Sequence, residues 1–396
     1  MKYAVILPDG AADEPLPQLE GRTPLEAAQV PNMDWVALHG RLGRAVTVPD
    51  GFIPGTDVAT LTLFGYDPAK YYSGRAPLEA AARGLSARAD ELIFRCNFVT
   101  ILDGRMKDFT AGHIAQSEVD QLIPSLNETF AGEPLRFHAG VSYRNLLILG
   151  QAQDMQVKCA PPHDIPDQPV TQHRPQGAGA ERLEAIMQRA AGMLADHPVN
   201  QARRRAGRDP VTHIWLWGQG KPTRLDPFAQ RFGCRGVVIT AVDIIRGLGV
   251  CMGMQLIEVP GATGYIDTNY AGKRDAALAA LDQYDMVVVH VEAADEAGHL
   301  GDAGEKIKAL ERIDEYIVGP VLQKLRRGER WRMLVAPDHP TPVSTKAHSA
   351  VPPLFAYAGT GVDAVEQLPF HDAAARLSRL FIDPGHLLMG QFIRPT

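Results

Sequence analysis

Three apolar runs in this chain end in acids and histidines. AVILPDG delivers Asp9. VVVHVEAADEAGH delivers Asp295 and, four residues on, His299. MLVAPDHP delivers Asp338 and His339 side by side, and His348 follows in STKAHS. An acid after a strand is often only a helix cap, and a lone histidine only a satisfied core or surface residue. The Asp-x-x-x-His and Asp-His pairs raise several such groups together, as a metal site requires. Carboxylate oxygen and imidazole nitrogen suit zinc and manganese, and soft thiolate ligands are not implied. The set is large enough for two cations, the arrangement that clamps attacking and leaving oxygens in phosphoryl transfer.

A hydroxyl belongs to the same picture. In IPGTDVATLTLFGYDP, Thr56 and Asp57 follow a Pro-Gly turn and open a helix-like apolar pattern. Alone, the pair reads as a helix cap, because Thr and Asp accept from the first free N–H groups. Beside metals held by acids and histidines, the Thr56 hydroxyl reads instead as a nucleophile. A cation would help it lose its proton, and the N–H groups of the turn would favour the anion it attacks.

The elements that must position these groups are short runs rich in Val, Ile and Leu. They are KYAVILPDG, RNLLILG, HIWLWGQG, RGVVITAVD, YDMVVVHVEAADEAGH and RWRMLVAPDHP. Such continuous runs suit strands buried on both faces. Helical patterns such as GAERLEAIMQRAAGMLADH and AGEKIKALERIDEYIVGPVLQKL alternate with them, which predicts an α/β fold with a mostly parallel sheet flanked by helices. In open sheets of this kind ligands sit beyond the carboxyl ends of the strands, so all six acids and histidines can meet at one edge. The middle of the chain is richer in turns, including the proline-laden CAPPHDIPDQPVTQHRPQGAG. We expect residues 76–224 to form a smaller inserted α/β or α+β domain, and residues 1–75 and 225–396 to build one core together.

Bulk properties narrow the class. At 396 residues, two domains are expected. A formal net charge of -6 argues against a nucleic-acid binder. The N-terminal apolar run is too short for a signal peptide or membrane span. Cys96, Cys159, Cys234 and Cys251 lack C-x-x-C spacing and read as reduced thiols of a cytoplasmic protein. GQGKP and PGATG match neither a Walker loop nor a Rossmann fingerprint and read as turns.

Taken in order, these motifs resemble the alkaline phosphatase superfamily and, within it, the cofactor-independent phosphoglycerate mutases of archaeal type and their bacterial relatives. The likeness runs over nearly the whole chain, through LPDGAADEPL, GRTPLEAAQVPNMD, PGTDVATLTLFGYDP, YYSGRAPLEAA, HAGVSYRNLLIL, PPHDIPDQP, PGATGYIDTNYAGK and VEAADEAGH. The resemblance implies an alkaline-phosphatase-like core with an inserted lid, and two divalent metals, usually manganese, with zinc, cobalt or magnesium as alternatives. By motif, Asp295, His299 and His348 would hold one metal. Asp9, Asp338 and His339 would hold the other, together with the Thr56 hydroxyl. It further implies an isomerase of glycolysis and gluconeogenesis that interconverts 2- and 3-phosphoglycerate through a phospho-enzyme, without free 2,3-bisphosphoglycerate. The family usually has serine where this chain has Thr56, whose β-branch restricts its rotamers.

A mutase must keep glycerate captive, and arginines of the lid are the natural grip on carboxylate and phosphate. Arg75 and Arg144 lie in stretches that match the family. Arg203 sits in a run of arginines, a pattern commoner on a solvated face. His113 is a candidate proton donor or substrate contact, or a core histidine. Arg246 stands where archaeal relatives tend to have lysine. Two rival activities belong to the same site: a homoserine kinase-like phosphotransferase using a nucleotide, and a metal-dependent phosphatase. A non-catalytic metal-binding scaffold is the bland alternative. The expected partner is a small phosphorylated acid, with no nucleic acid and no membrane, and the oligomeric state is left open.

Overall fold

The structure is a computed structural model and describes residues 1–394. The chain forms two compact units: Met1–Tyr72 together with the chain from Arg224 onward, and Ser73–Thr223. The fold is mixed α/β, as expected.

Among the described residues, the first unit is built on an eight-stranded sheet. Its strands are β1 (Lys2–Pro8), β2 (Arg41–Ala45), β3 (Gly236–Ile239), β4 (Gln255–Ile257), β5 (Met286–Val291), β6 (Trp331–Val335), β7 (Leu354–Gly359) and β8 (Phe381–Ile382). The order across the sheet is β4-β3-β5-β1-β6-β7-β2-β8. Neighbours from β4 to β6 are parallel, β7 runs antiparallel to both β6 and β2, and β8 is parallel to β2. Every residue of β5 (MVVVHV) is buried, as a strand covered on both faces requires. On one face Ala4, Ile6, Val287, Val289, Val291, Met333 and Val335 pack against helices contributing Leu281, Leu310, Ile313 and Val321.

The long helical pattern after Gly301 is not one regular helix. Ala303–Ile313 passes through a π-turn, Asp314–Val318, before Gly319–Arg326 resumes. Pro320 has no N–H to donate, and the Gly319 N–H reaches back to the Asp314 carbonyl, five residues away. The Asp314 carboxylate is turned to use: it accepts from the backbone N–H groups of Asn32 and Met33 and caps the helix Pro31–Leu38.

The second unit carries a five-stranded antiparallel sheet. Leu92–Leu102 lies at its centre, paired to Arg144–Leu149 and His213–Gly220. Helices Gln116–Thr129 and Ala180–Ala195 cover one face over Phe94, Cys96, Phe98, Leu147 and Leu216. The opposite face holds two smaller apolar clusters. One joins Ile93, Leu146 and Ile148 to Ala76 and Ala80, and the other joins Val99, Trp215 and Trp217 to Ile165 and Val170. The proline-rich segment contains two short 3-10 turns, Pro162–Asp164 and Val170–His173, and ends in a short strand, Gln176–Ala178, paired antiparallel with Gln156–Lys158. No helix among the described residues is long and apolar enough to cross a membrane.

Candidate metal-binding active site

Strand β1 lies between β5 and β6, so the loops beyond their carboxyl ends adjoin. Asp9 follows β1 directly, and its N–H donates to the Val291 carbonyl at the end of β5 (3.0 Å). Helix α2 (Ala293–Leu300), which continues from β5, carries Asp295 and His299 one turn apart. Asp338 and His339 come just past β6, and His348 closes the loop that follows. Two glycines let these segments touch. Gly10 has φ +61°, and a Cβ there would stand 2.6 Å from the Asp295 Cα. A Cβ on Gly298 would stand 2.4 Å from the Thr341 carbonyl oxygen. The glycines of PDG and EAGH are thus what the close approach of three loops demands.

Thr56 is the first residue of helix α1 (Thr56–Leu63), with Gly55 in the cap position. Its hydroxyl does not turn back to the helix. Oγ1 lies 3.5 Å from Asp9 Oδ2 and 3.3 Å from His339 Nε2, and the side chain is buried.

The acids and histidines predicted from the sequence converge. Ligand atoms of Asp295, His299 and His348 form one group within 4.8 Å of one another, and those of Asp9, Asp295 and His339 form a second. Asp338 adjoins the second group, its Oδ2 lying 3.4 Å from His339 Nε2. Asp295 therefore stands between the two groups.

Two observations show that these residues fit cations. First, each of two buried carboxylates has one oxygen held and the other orphaned. Asp9 Oδ2 meets His290 Nε2 at 2.9 Å, while Asp9 Oδ1 has no partner. Asp338 Oδ1 accepts from the N–H groups of Gly10 and His339, while Oδ2 has none. Buried anionic oxygens left this way are costly unless a cation meets them. Second, the Nδ1 atoms of His299 and His348 face the carbonyls of Lys346 (3.0 Å) and Pro54 (3.4 Å). A carbonyl only accepts, so Nδ1 carries the proton in each neutral ring. Both Nε2 atoms then present lone pairs 2.9 Å apart, beside the Asp295 carboxylate, and a proton or a cation must lie between them.

Electrostatics repeat the point. Burial, reinforced by the charges of Asp338, Asp295 and Glu292, pushes the Asp9 carboxyl well above its ordinary range. Burial and the Asp295 charge raise Glu292 to about 8. Hydrogen bonding to Asp295 raises His299 to about 9. Although burial opposes it, the adjoining imidazoles of His299 and His348 hold Asp295 well below the carboxylate range. The site is a concentration of negative charge that asks for positive charge.

The other candidate residues belong to other elements. Arg246 is on the helix Asp243–Cys251, where Glu258 binds its guanidinium at 2.7 Å. Four candidates belong to the second unit. Arg75 opens the helix Arg75–Ala82. Arg144 is exposed, with its guanidinium over the Tyr143 ring (5.1 Å), and the His113 ring meets the same tyrosine edge-on at 6.2 Å. Arg203 is buried, with 2% exposure, and its guanidinium is occupied by Glu118 (2.7 Å) and by the carbonyls of Asp209 and Ala111. The run of arginines hides one internal strut rather than forming a solvated face throughout.

Sequence reasoning passed over several polar residues. Thr341 hydrogen-bonds Asp295 Oδ1 and lies 3.3 Å from His339 Nδ1. His290 is fully buried between Asp9 and Thr240, with burial and the nearby Lys273 charge holding its imidazole down at about 3. In the second unit Arg95 is buried against Glu79 (3.2 Å) and over Trp217 (4.1 Å), and Asn97 accepts from Trp217 Nε1. The available signal was a polar residue inside an otherwise apolar strand, as in VVVHV and IFRCNFV, because burial makes such a residue find partners.

Comparison with known proteins agrees with the motifs. A family profile described as 2,3-bisphosphoglycerate-independent phosphoglycerate mutase matches residues 37–200. The chain is 52% identical to the enzyme of that name from Methanothrix thermoacetophila over 363 residues, covering 91% of this chain and 92% of the other. It is 44% identical to the one from Methanosarcina barkeri over the full length of both chains (100% and 100%). Among solved structures, a protein of Pyrococcus horikoshii superposes with a TM-score of 0.84 at 28% identity, over 99% of this chain and 96% of that one. The cofactor-independent phosphoglycerate mutase of Thermoplasma acidophilum gives 0.68 at 26% identity, over 99% of each chain. The chain belongs to the 2,3-bisphosphoglycerate-independent phosphoglycerate mutase family.

Proposed function

We propose that this isomerase interconverts 2-phosphoglycerate and 3-phosphoglycerate through phosphorylated Thr56, at a site holding two divalent cations. The family likeness favours manganese, and the oxygen and imidazole donors admit it as they admit zinc. Asp295, His299 and His348 would hold one cation, and Asp9, Asp338 and His339 the other with the Thr56 hydroxyl. When bound, the cations supply positive charge to the phosphoryl oxygens and favour the ionised hydroxyl.

Thr56 Oγ1 attacks phosphorus, its proton leaves, and the bond from phosphorus to the substrate oxygen breaks. The departing glycerate oxygen takes up a proton. The other glycerate hydroxyl then attacks phosphothreonine and loses its proton, the bond from phosphorus to Thr56 Oγ1 breaks, and Thr56 recovers its proton. No 2,3-bisphosphoglycerate is consumed or formed in the balance. The observation that carries this reading is the Thr56 hydroxyl itself, aimed at Asp9 and His339 from a helix N-terminus.

Glycerate must stay bound while Thr56 carries the phosphoryl group, because water would otherwise hydrolyse it. We read the Ser73–Thr223 unit as the lid, with Arg75, Arg144 and His113 as its substrate contacts and Arg95 and Asn97 behind them. Arg203 is left out of this set because its guanidinium is consumed internally. Arg246, from the first unit, is kept as a further substrate contact, since its partner Glu258 is 78% exposed and such a pair exchanges readily. The free cysteines fit the reducing cytoplasm.

The test uses metal-reconstituted full-length protein with 3-phosphoglycerate and no bisphosphoglycerate. An enolase-coupled assay follows 2-phosphoglycerate, and phosphate release is read in parallel. The expected result is 2-phosphoglycerate formation that Thr56→Ala abolishes. Phosphate release alone would make the protein a phosphatase. Turnover only with homoserine and ATP would make it a kinase.

A further inference from the structure

An imidazole is an unexpected occupant of a central strand. His290 is the fifth residue of β5, flanked by Val289 and Val291, and is wholly buried. Apolar surroundings offer a ring nitrogen nothing, so both nitrogens need specific partners. They have them: Nδ1 lies 3.1 Å from Thr240 Oγ1, and Nε2 lies 2.9 Å from Asp9 Oδ2.

The direction of this chain of hydrogen bonds follows from its last member, Asp9, which as an ionised cation ligand only accepts. Thr240 Oγ1 accepts the Val242 N–H at 3.1 Å, which leaves its own proton for donation. His290 Nε2–H therefore donates to Asp9 Oδ2, which leaves Nδ1 bare to accept from the Thr240 hydroxyl. The strand end is also fixed, because the buried Lys273 ammonium donates to the His290 carbonyl at 3.0 Å. The far end of the relay is a carboxylate with one oxygen pinned and the other, Oδ1, buried without a partner, 3.6 Å from His339 Nε2.

We propose that His290 is a positioning residue. Held by Thr240 in the Nε2–H tautomer, it pins Asp9 Oδ2 and so turns Oδ1 toward the cation that Asp9 shares with His339 and Thr56. This inference rests on the two-cation reading. It predicts that the two cation sites differ in their dependence on His290: the site containing Asp9 needs it, and the site of His299 and His348 does not.

The experiment has two readouts on the full chain. Long-range proton–nitrogen NMR of the metal-free protein reports the His290 tautomer, expected to be protonated on Nε2 only. Calorimetric titration of the metal-free protein with Mn2+ reports the sites. His290→Phe is expected to weaken one of two sites by about 10–100-fold and leave the other unchanged. His290→Gln, whose amide can still donate to Asp9, is expected to restore most of that loss. If His290→Phe does not fold, Thr240→Val serves, and it should release the tautomer and weaken the same site. A ring protonated on Nδ1, equal weakening of both sites, or no weakening overturns the proposal. Failure of the wild type to bind two Mn2+ ions overturns the two-cation reading instead, and the tautomer then still decides what His290 does.

Discussion

Lys306 offers a test of what holds the loops of the site together. Its ammonium is fully buried and donates to Asp13 Oδ2 at 2.7 Å, to the Thr341 carbonyl at 2.9 Å and to the Ala12 carbonyl at 3.3 Å. Ala12 and Asp13 belong to the loop that begins at Asp9, and Thr341 to the loop that begins at Asp338. One cation from a neighbouring helix thus ties two loops that carry candidate ligands. Lys306→Met keeps the aliphatic stem and removes the charge. Removing one partner of a buried ion pair costs about 3–5 kcal/mol, because the other is left uncompensated. Here Asp13 keeps two backbone donors, Glu14 N–H (2.8 Å) and Val343 N–H (3.2 Å), so the low end, about 3 kcal/mol, is expected. In urea unfolding followed by both tryptophan fluorescence and circular dichroism, the midpoint should fall with the slope unchanged. Adding Asp13→Asn should recover a large part of the loss, since replacing both members of a buried pair is often close to neutral. A single variant that loses less than about 1 kcal/mol, or a double variant no better than the single, would refute this account of the pair.

Other expectations follow from individual positions. Gly10→Ala should unfold more easily and bind Mn2+ more weakly by calorimetry, because its Cβ would stand 2.6 Å from the Asp295 Cα at φ +61°. Asp372 is buried and its carboxyl is raised from 3.8 to about 6, so the folded chain holds that proton more tightly than the unfolded chain does. Its contribution is fully present below the unfolded value of 3.8 and is lost as pH rises to about 6, on the order of 3 kcal/mol. The stability difference between wild type and Asp372→Asn, measured by urea unfolding from pH 4 to 8, should therefore shift in favour of the variant as pH rises. Adding Mn2+ to chelator-treated protein should raise thermal stability with a logarithmic dependence on concentration, by about 2.7 kcal/mol at 100 times the dissociation constant. A melting temperature indifferent to Mn2+ would contradict the reading of the orphaned carboxylate oxygens.

Local chemistry was legible where it is local. The apolar runs of β1, β5 and β6 had to be buried strands, and the acids and histidines just past them had to lie at one edge. Hydrophobic burial and the parallel α/β rule leave little choice there. Helix breaks were less readable: the pattern from 303 to 326 reads as continuous, whereas the structure inserts a π-turn just before Pro320, where Asp314 also caps the helix Pro31–Leu38. Arg203 and Arg144 look alike as letters. One is consumed by Glu118 and two carbonyls, and the other lies exposed over a tyrosine ring.

By itself, then, the sequence determined the fold class, the strand ends that carry the acids and histidines and the hydroxyl at the helix start, because each depends on side chains within a few residues of one another. Tertiary structure alone decided which oxygens of Asp9 and Asp338 are held and which are bare, that Asp295 stands between two groups of ligands, and that His290 backs Asp9. Those are matters of distance and direction between segments as much as 329 residues apart, such as Asp9 and Asp338. Hydrogen-bond geometry over such separations is set only when the sheet brings the strands into register.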